Sequence, residues 1–369
     1  MLFFILACLL PSFVVAFFAT AGMRRLAPRL GLIDQPAARK VHVTPTPLGG
    51  GVGIWLGVVL PLTAAHLAAF VLTRNDHLRG LVPAEVAIHL EGVLYRSGQM
   101  WAIVLGGTAL ACMGLLDDLK SLPWQPRLGL QACVAAGLAA YGVHATVFAP
   151  QPWIGIVLSI VWMMVLVNSF NFLDNMDGLS GGIALVAALV MSVVMLTATR
   201  EPHLLVAGVL LTLVGALAGF LCHNRPPARI FMGDSGSYFI GLLIATMSLL
   251  GTYYEPDSGS RHVILAPLCI LAVPLYDFCS VMIIRLSQKR SPFHPDKSHF
   301  SHRLVELGLK PQSAVLTIHL ATLTTGLGGL LLYHVPGWSG AFLVMALIGC
   351  VLSIIAILET VGRKRNGNS

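Results

Sequence analysis

The sequence is poor in charge: 11% of its residues are Asp, Glu, Lys or Arg, against 56% hydrophobic, and the mean hydropathy is +0.81. That balance excludes an ordinary water-soluble globular domain and defines an integral membrane protein. There is no C-x-x-C pair and no H-E-x-x-H frame, so nothing points to a zinc centre or a dithiol redox site. The seven cysteines (Cys8, Cys112, Cys133, Cys222, Cys269, Cys279 and Cys350) fall in or beside apolar runs and read as packing residues. Internal repeats, low-complexity tracts and a soluble domain are also lacking.

What is there is a series of apolar runs near the roughly 20 residues that span hydrocarbon. We read spans at 2–22, 48–73, 98–116, 128–147, 153–170, 179–198, 203–222, 235–252, 262–285, 313–333 and 338–361, an all-α fold of about eleven transmembrane helices. The first run lacks a basic start and is followed by Arg24, Arg25 and Arg29, which marks a retained span with its N-terminus outside rather than a cleaved leader. In this layout only Arg74, Arg79, Arg96, Arg200 and Arg261 face outside. Every other Lys and Arg, including Arg363-Lys364-Arg365, is cytoplasmic. The net charge of +7 thus orients the chain in the membrane and implies no nucleic-acid partner. The expected organisation is one polytopic domain, 1–369, with inner loops 23–47, 117–127, 171–178, 223–234 and 286–312 forming the functional face.

Against this background the polar clusters stand out. A charge at mid-bilayer costs about 2.5–3.5 kcal/mol and less near an interface, so acids beside spans are functional candidates. The stretch NSFNFLDNMDGLSGG, Asn168 to Gly182, places two carboxylates and three carboxamides between apolar runs. If the preceding helix continues through it, Asn168, Asn171 and Asn175 share a face beside Asp174 and Asp177. The plainer alternative is a polar loop capping the next helix. Asp117-Asp118 end the third span, and adjacent helical residues point about 100° apart, so the two acids need not share one job. Asp234, in RIFMGDSGS, is either a helix cap or a ligand for a hard cation held by a glycine-flanked turn.

Two longer inner loops add basic groups. SPFHPDKSHFSHRL carries His294, His299 and His302 with Asp296, Lys297 and Arg303, donors that suit a pyrophosphate better than zinc. RKVHVTPTPLGGG brings Lys40 and Thr46, which a functional reading places at a phosphate and a plainer one at anionic lipid. Asp277, inside the ninth span, reads as a structural partner within the bundle.

Taken in order, RKVHVTPTPLGG, GLLDDLKSLPWQPRL, NSFNFLDNMDGL, FMGDSGSYFIG and PDKSHFSHRL resemble the polyprenyl-phosphate N-acetylhexosamine-1-phosphate transferases (glycosyltransferase family 4), from Asp34 to about Leu307. The eleven-span layout looks like the bacterial undecaprenyl-phosphate GlcNAc branch. Two positions depart from the family's usual pattern: Asn175 stands where a glycine is common, and Ser301 where the terminal motif has its middle histidine. The resemblance implies transfer of a HexNAc-1-phosphate, most simply GlcNAc-1-phosphate, from a UDP-sugar to undecaprenyl or another polyprenyl phosphate, releasing UMP and starting cell-envelope glycan synthesis.

On that footing Asp234 is the expected Mg²⁺ ligand, with Mn²⁺ as the alternative metal. Asp117 is expected to position or deprotonate the lipid phosphate with Asp118 supporting it. Asp174 and Asp177, grouped with Asp117 and Asp118 as catalytic, are expected with Asn171 to shape the nucleotide site; Asn168 is expected to bind substrate, and Lys40, Thr46, His299, His302 and Arg303 to contact phosphate or sugar. The expected partners are a UDP-N-acetylhexosamine, polyprenyl phosphate and the bacterial inner membrane, with the active site facing the cytoplasm; the sequence leaves a homodimer open. The competing class is a secondary transporter that couples ions through the inner-face acids, although transporters usually place such groups near the midplane and show repeats.

Overall fold

The computed structural model describes residues 1–36, 44–80, 82, 90–145, 151–198, 202–251, 261–291 and 298–366. Among the described residues the regular structure is helical apart from one two-residue antiparallel pairing. The helices are α1 (Leu2–Leu26), α2 (Gly50–Arg74), α3 (Ser97–Lys120), α4 (Trp124–Ala140), α5 (Pro152–Leu173) and α6 (Leu179–Val193, prolonged by a π turn to Ala198). They continue with α7 (Leu204–Asn224), α8 (Asp234–Leu250), α9 (Ala272–Ser287), α10 (Phe300–Glu306), α11 (Pro311–Leu331) and α12 (Gly337–Asn366). Among the described residues eight helices are long and apolar enough to cross a membrane, which makes this a multi-pass membrane protein.

The remaining three expected spans take other forms. The ninth is broken: Arg261–Ile270 and Ala272–Ser287 meet at 65°. Pro274 supplies the reason, because it lacks an N–H and its ring crowds the carbonyl of Ile270, so the backbone bends where that bond would lie. The fourth, α4, starts at Trp124, four residues before its apolar run, after a proline N-cap. That early start brings Arg127 into the first turn.

The eighth is the central element. Helix α8 has 17 residues, a rise of about 25 Å. It is buried at every position from Ser235 to Ser248, packed against α3 and α5, with α2 alongside its start. Its neighbours approach closely because they offer glycine. A Cβ on Gly114 of α3 would overlap the backbone of Asp234.

The short pairing of β1 (Ile33–Asp34) with β2 (Thr46–Pro47) sits at the same end of the bundle. Phe231 N–H donates to Pro47 O at 2.8 Å, and the N–H groups of Gly50 and Gly51 donate to Phe231 and Met232 carbonyls at 2.9 Å. The first inner loop is thereby sewn to the segment that introduces α8.

Candidate active site

Four sequence-distant elements converge at the N-terminus of α8. Asp118, at the end of α3, accepts the backbone N–H of Asp234 at 3.0 Å, so the first turn of α8 is capped by a carboxylate from 116 residues away. Gly233 makes this possible. Its φ of 76° and ψ of 175° lie in a region open essentially to glycine, and a Cβ there would overlap the Asp118 carboxylate.

Asp234 itself points away from the cap. Its Oδ1 accepts Asn171 Nδ2 at 2.8 Å, while the Tyr238 hydroxyl and the Arg127 guanidinium stand 3.5 and 3.6 Å from Oδ2. The side chain is 29% exposed, and its carboxyl lies beside that of Asp117. Asp117 is more enclosed. Buried and only 5% exposed, it receives Leu122 N–H at 2.6 Å and Arg127 Nη1 at 2.5 Å, which ties the end of α3 to the first turn of α4. The two adjacent acids do have separate partners, as their helical offset implies.

The turn between α5 and α6 supplies the next group. Asn168 donates to Gln131 of α4 at 2.7 Å, and Asn171 reaches Asp234 and Ser237. Helix α5 stops at Leu173, however, so Asn175 lies in the turn and does not share a helical face with the other two. The Asp174 carboxyl is pushed up to about 7, chiefly by burial and next by the charge of Asp118, with the Gly233 N–H acting the other way. Asp177 accepts Ala228 N–H at 2.8 Å and holds the loop after α7.

The histidine loop is anchored from behind. Asp277 of α9, fully buried, accepts His299 Nδ1 at 3.0 Å and Phe300 N–H at 2.6 Å, the structural role expected of it. His299 lies edge-on to Phe172 with ring centroids 5.5 Å apart, and His302 is 6.3 Å from His299. Arg303, expected at phosphate, is instead buried in a 2.9 Å ion pair with Glu359 of α12 and donates to Ser280 at 2.7 Å. Thr46 is also buried and its hydroxyl donates to Thr44 O at 3.1 Å. Lys40, His294, Asp296 and Lys297 lie outside the described residues.

Two members were not singled out from sequence. Arg127 had a usable signal, as the lone arginine following the Asp-Asp pair in the same inner loop. Asp34 of β1 adds its charge to both Asp118 and Asp174, and nothing local in the sequence announces it.

The cluster is therefore rich in hard oxygen donors, with Asp117, Asp118, Asp174 and Asp234 close enough to repel one another. Among the described residues no three His, Cys, Asp or Glu side chains form a chelating group by themselves. Carboxylate oxygens are the donor type a hard divalent cation such as Mg²⁺ takes, one or two from protein with water and phosphate oxygens completing its shell.

A multi-pass membrane bundle with a carboxylate cluster at one end defines the class. The comparisons supply the family: the model for glycosyl transferase family 4 matches residues 100–252. The chain is 33% identical to a decaprenyl-phosphate N-acetylglucosaminephosphotransferase of Mycobacterium tuberculosis, over 84% of this chain and 78% of that protein. It is 28% identical to a probable undecaprenyl-phosphate N-acetylglucosaminyl 1-phosphate transferase of Bacillus subtilis over 98% and 94%, and 24% identical to a Thermotoga maritima undecaprenyl-phosphate alpha-N-acetylglucosaminyl 1-phosphate transferase over 96% and 98%. The chain belongs to glycosyl transferase family 4.

Proposed function

We propose that this protein transfers GlcNAc-1-phosphate from UDP-GlcNAc to a polyprenyl phosphate, releasing UMP. The observation that carries this reading is the convergence of Asp118, Asp234, Asn171 and Asp174 on one end of a buried helix in a chain with GlcNAc-1-phosphate transferases as near full-length relatives. A lipid-phosphate oxygen attacks the β-phosphorus of the UDP-sugar, a new P–O–P linkage forms, the α–β bridging bond breaks and UMP leaves. The attacking phosphate has a second pKa near 6 and is mostly dianionic at neutral pH, so no strong general base is required.

Two anions must then be brought together. Asp234 is the residue we assign to hold Mg²⁺, with Mn²⁺ as the alternative; the ion, when bound, offsets phosphate charge. Asn171 holds the Asp234 carboxylate in orientation, and Asp118 fixes the backbone that carries it. Arg127 restrains Asp117 and adds a positive charge within 3.6 Å of Asp234. Asp174, Asp177 and Asn168 shape the nucleotide side, His299 and His302 face sugar or phosphate, and Lys40 contributes from the first loop. Arg303 and Thr46 act by positioning, since their polar atoms are engaged within the protein.

In the bilayer we assign eleven crossings, counting α4, α8 and the bent α9 region with the eight long helices. The N-terminus lies outside and the site faces the cytoplasm of a bacterial inner membrane, where UDP-sugars are found. The positive-inside distribution supports this orientation. Family membership disfavours the transporter alternative. The test is turnover: purified protein with undecaprenyl phosphate, Mg²⁺ and radiolabelled UDP-GlcNAc should yield labelled lipid and UMP. A panel of UDP-sugars in which another HexNAc is the sole donor would correct the sugar, and no product with any donor would remove the reading.

A further inference from the structure

The histidine loop is also tied across the site. The Ser301 hydroxyl, fully buried, donates to Asn175 Oδ1 at 2.6 Å, joining α10 to the turn that bears Asp174 and Asp177. The Asn175 amide is fixed for this contact, because its Nδ2 donates to Phe172 O at 2.6 Å and leaves the oxygen end facing Ser301. Asn175 and Ser301, 126 positions apart in the chain, are thus direct partners. A glycine at 175 would remove the acceptor, and a histidine at 301 would bring a ring into a space now filled by a serine with no solvent exposure.

The Asp277 bonds and the Arg303 ion pair lead to other helices. Asp277 binds the loop to α9, and Arg303 binds it to α9 and α12. Removing the Ser301–Asn175 contact leaves the loop held at α9 and α12 and packed on Phe172 through His299, while cutting its hydrogen bond to the acidic turn. Ser301 lies between His299 and His302 in sequence, so its hydrogen bond bears on where this part of the loop sits.

We propose that the Asn175–Ser301 hydrogen bond is a latch that sets the histidine loop against the Asp174–Asp177 turn, and that it governs how the UDP-sugar is held rather than the transfer step. This assignment rests on the transferase reading above. Both residues are positioning residues: neither is required to touch the reacting phosphorus.

The test is a double-mutant cycle in the full-length protein. Asn175→Ala and Ser301→Ala are each expected to raise KM for UDP-GlcNAc about ten-fold, the scale of one buried hydrogen bond, with kcat and KM for polyprenyl phosphate within about two-fold of wild type. The double variant should be no worse than the worse single one, because the same bond is lost once. Effects that multiply, or equal rises in both KM values, would overturn the latch. Hydrogen exchange of the 298–306 segment gives a second readout that needs no turnover. Faster exchange in both single variants is expected, and unchanged protection in either would overturn the proposal even if the wild type proves inactive. A wild type that makes no product with any UDP-sugar would remove the transferase reading and the assigned ligand, while the exchange result alone decides the latch.

Discussion

Asp118 caps the helix that Asp234 begins, its carboxylate receiving the Asp234 N–H at 3.0 Å. One acid therefore builds the platform from which the other acts. Asp118→Asn keeps an acceptor oxygen but removes the charge that favours a helix N-terminus. We expect kcat/KM to fall at least about 100-fold, with a stability loss on the order of 1 kcal/mol. Steady-state kinetics together with thermal melting separate the two; wild-type turnover would show that the Asp118 charge is dispensable.

Gly233 has no substitute at its position. Alanine meets both a strained backbone and the Asp118 carboxylate, so Gly233→Ala should cost about 1–3 kcal/mol and displace Asp234. The variant is expected to fold at lower temperature and to lose most activity, checked by melting and by product formation at a temperature where it remains folded.

A cation held by Asp234 should favour the charged form of Asp174 in the same cluster. The Asp174 carboxyl is held near 7 rather than at the ordinary 3.8, so the folded protein binds more protons than the unfolded one between those values. This group's contribution to stability accordingly falls as pH rises through that window, in the absence of cation. A divalent cation opposes the fall. The Mg²⁺-induced increase in melting temperature should be larger at pH 8 than at pH 5.5, and Asp174→Asn should flatten the difference; an increment independent of pH would contradict it.

Glu359 is expected to matter although it lies on the last described helix. It is 3% exposed at the side chain, pairs with Arg303 at 2.9 Å and accepts the Tyr276 hydroxyl at 2.9 Å. Glu359→Ala leaves a buried guanidinium without its counter-charge, a loss of roughly 3–5 kcal/mol. Replacing both partners, Arg303→Met with Glu359→Leu, should restore much of the stability, which melting of the three variants in detergent would measure.

The parts that could be read from sequence are those where polarity is anomalous. Asp117, Asp118, Asp174 and Asp234 each interrupt or end an apolar run, so their cost in a membrane marked them, and the fold brings them together. Long spans were equally visible, since about 20 apolar residues have few alternatives. What escaped depends on distant partners. Arg303 reads from sequence as a phosphate or sugar contact but is paired with Glu359, Thr46 turns its hydroxyl to its own loop, and Asn175 leaves the helix because α5 ends two residues earlier. The break in α9 had a local cause in Pro274, but apolar content alone continued through it.

The Arg303–Glu359 pair also orders events during synthesis. The histidine loop leaves the ribosome before α11 and α12, so its guanidinium waits for a counter-charge that is translated later. A nascent chain stopped within α12 ahead of Glu359 would already carry every carboxylate of the cluster, yet its loop would lack the last fastening. The fastening between the loop and α12 is therefore the last of its contacts whose partners are both made.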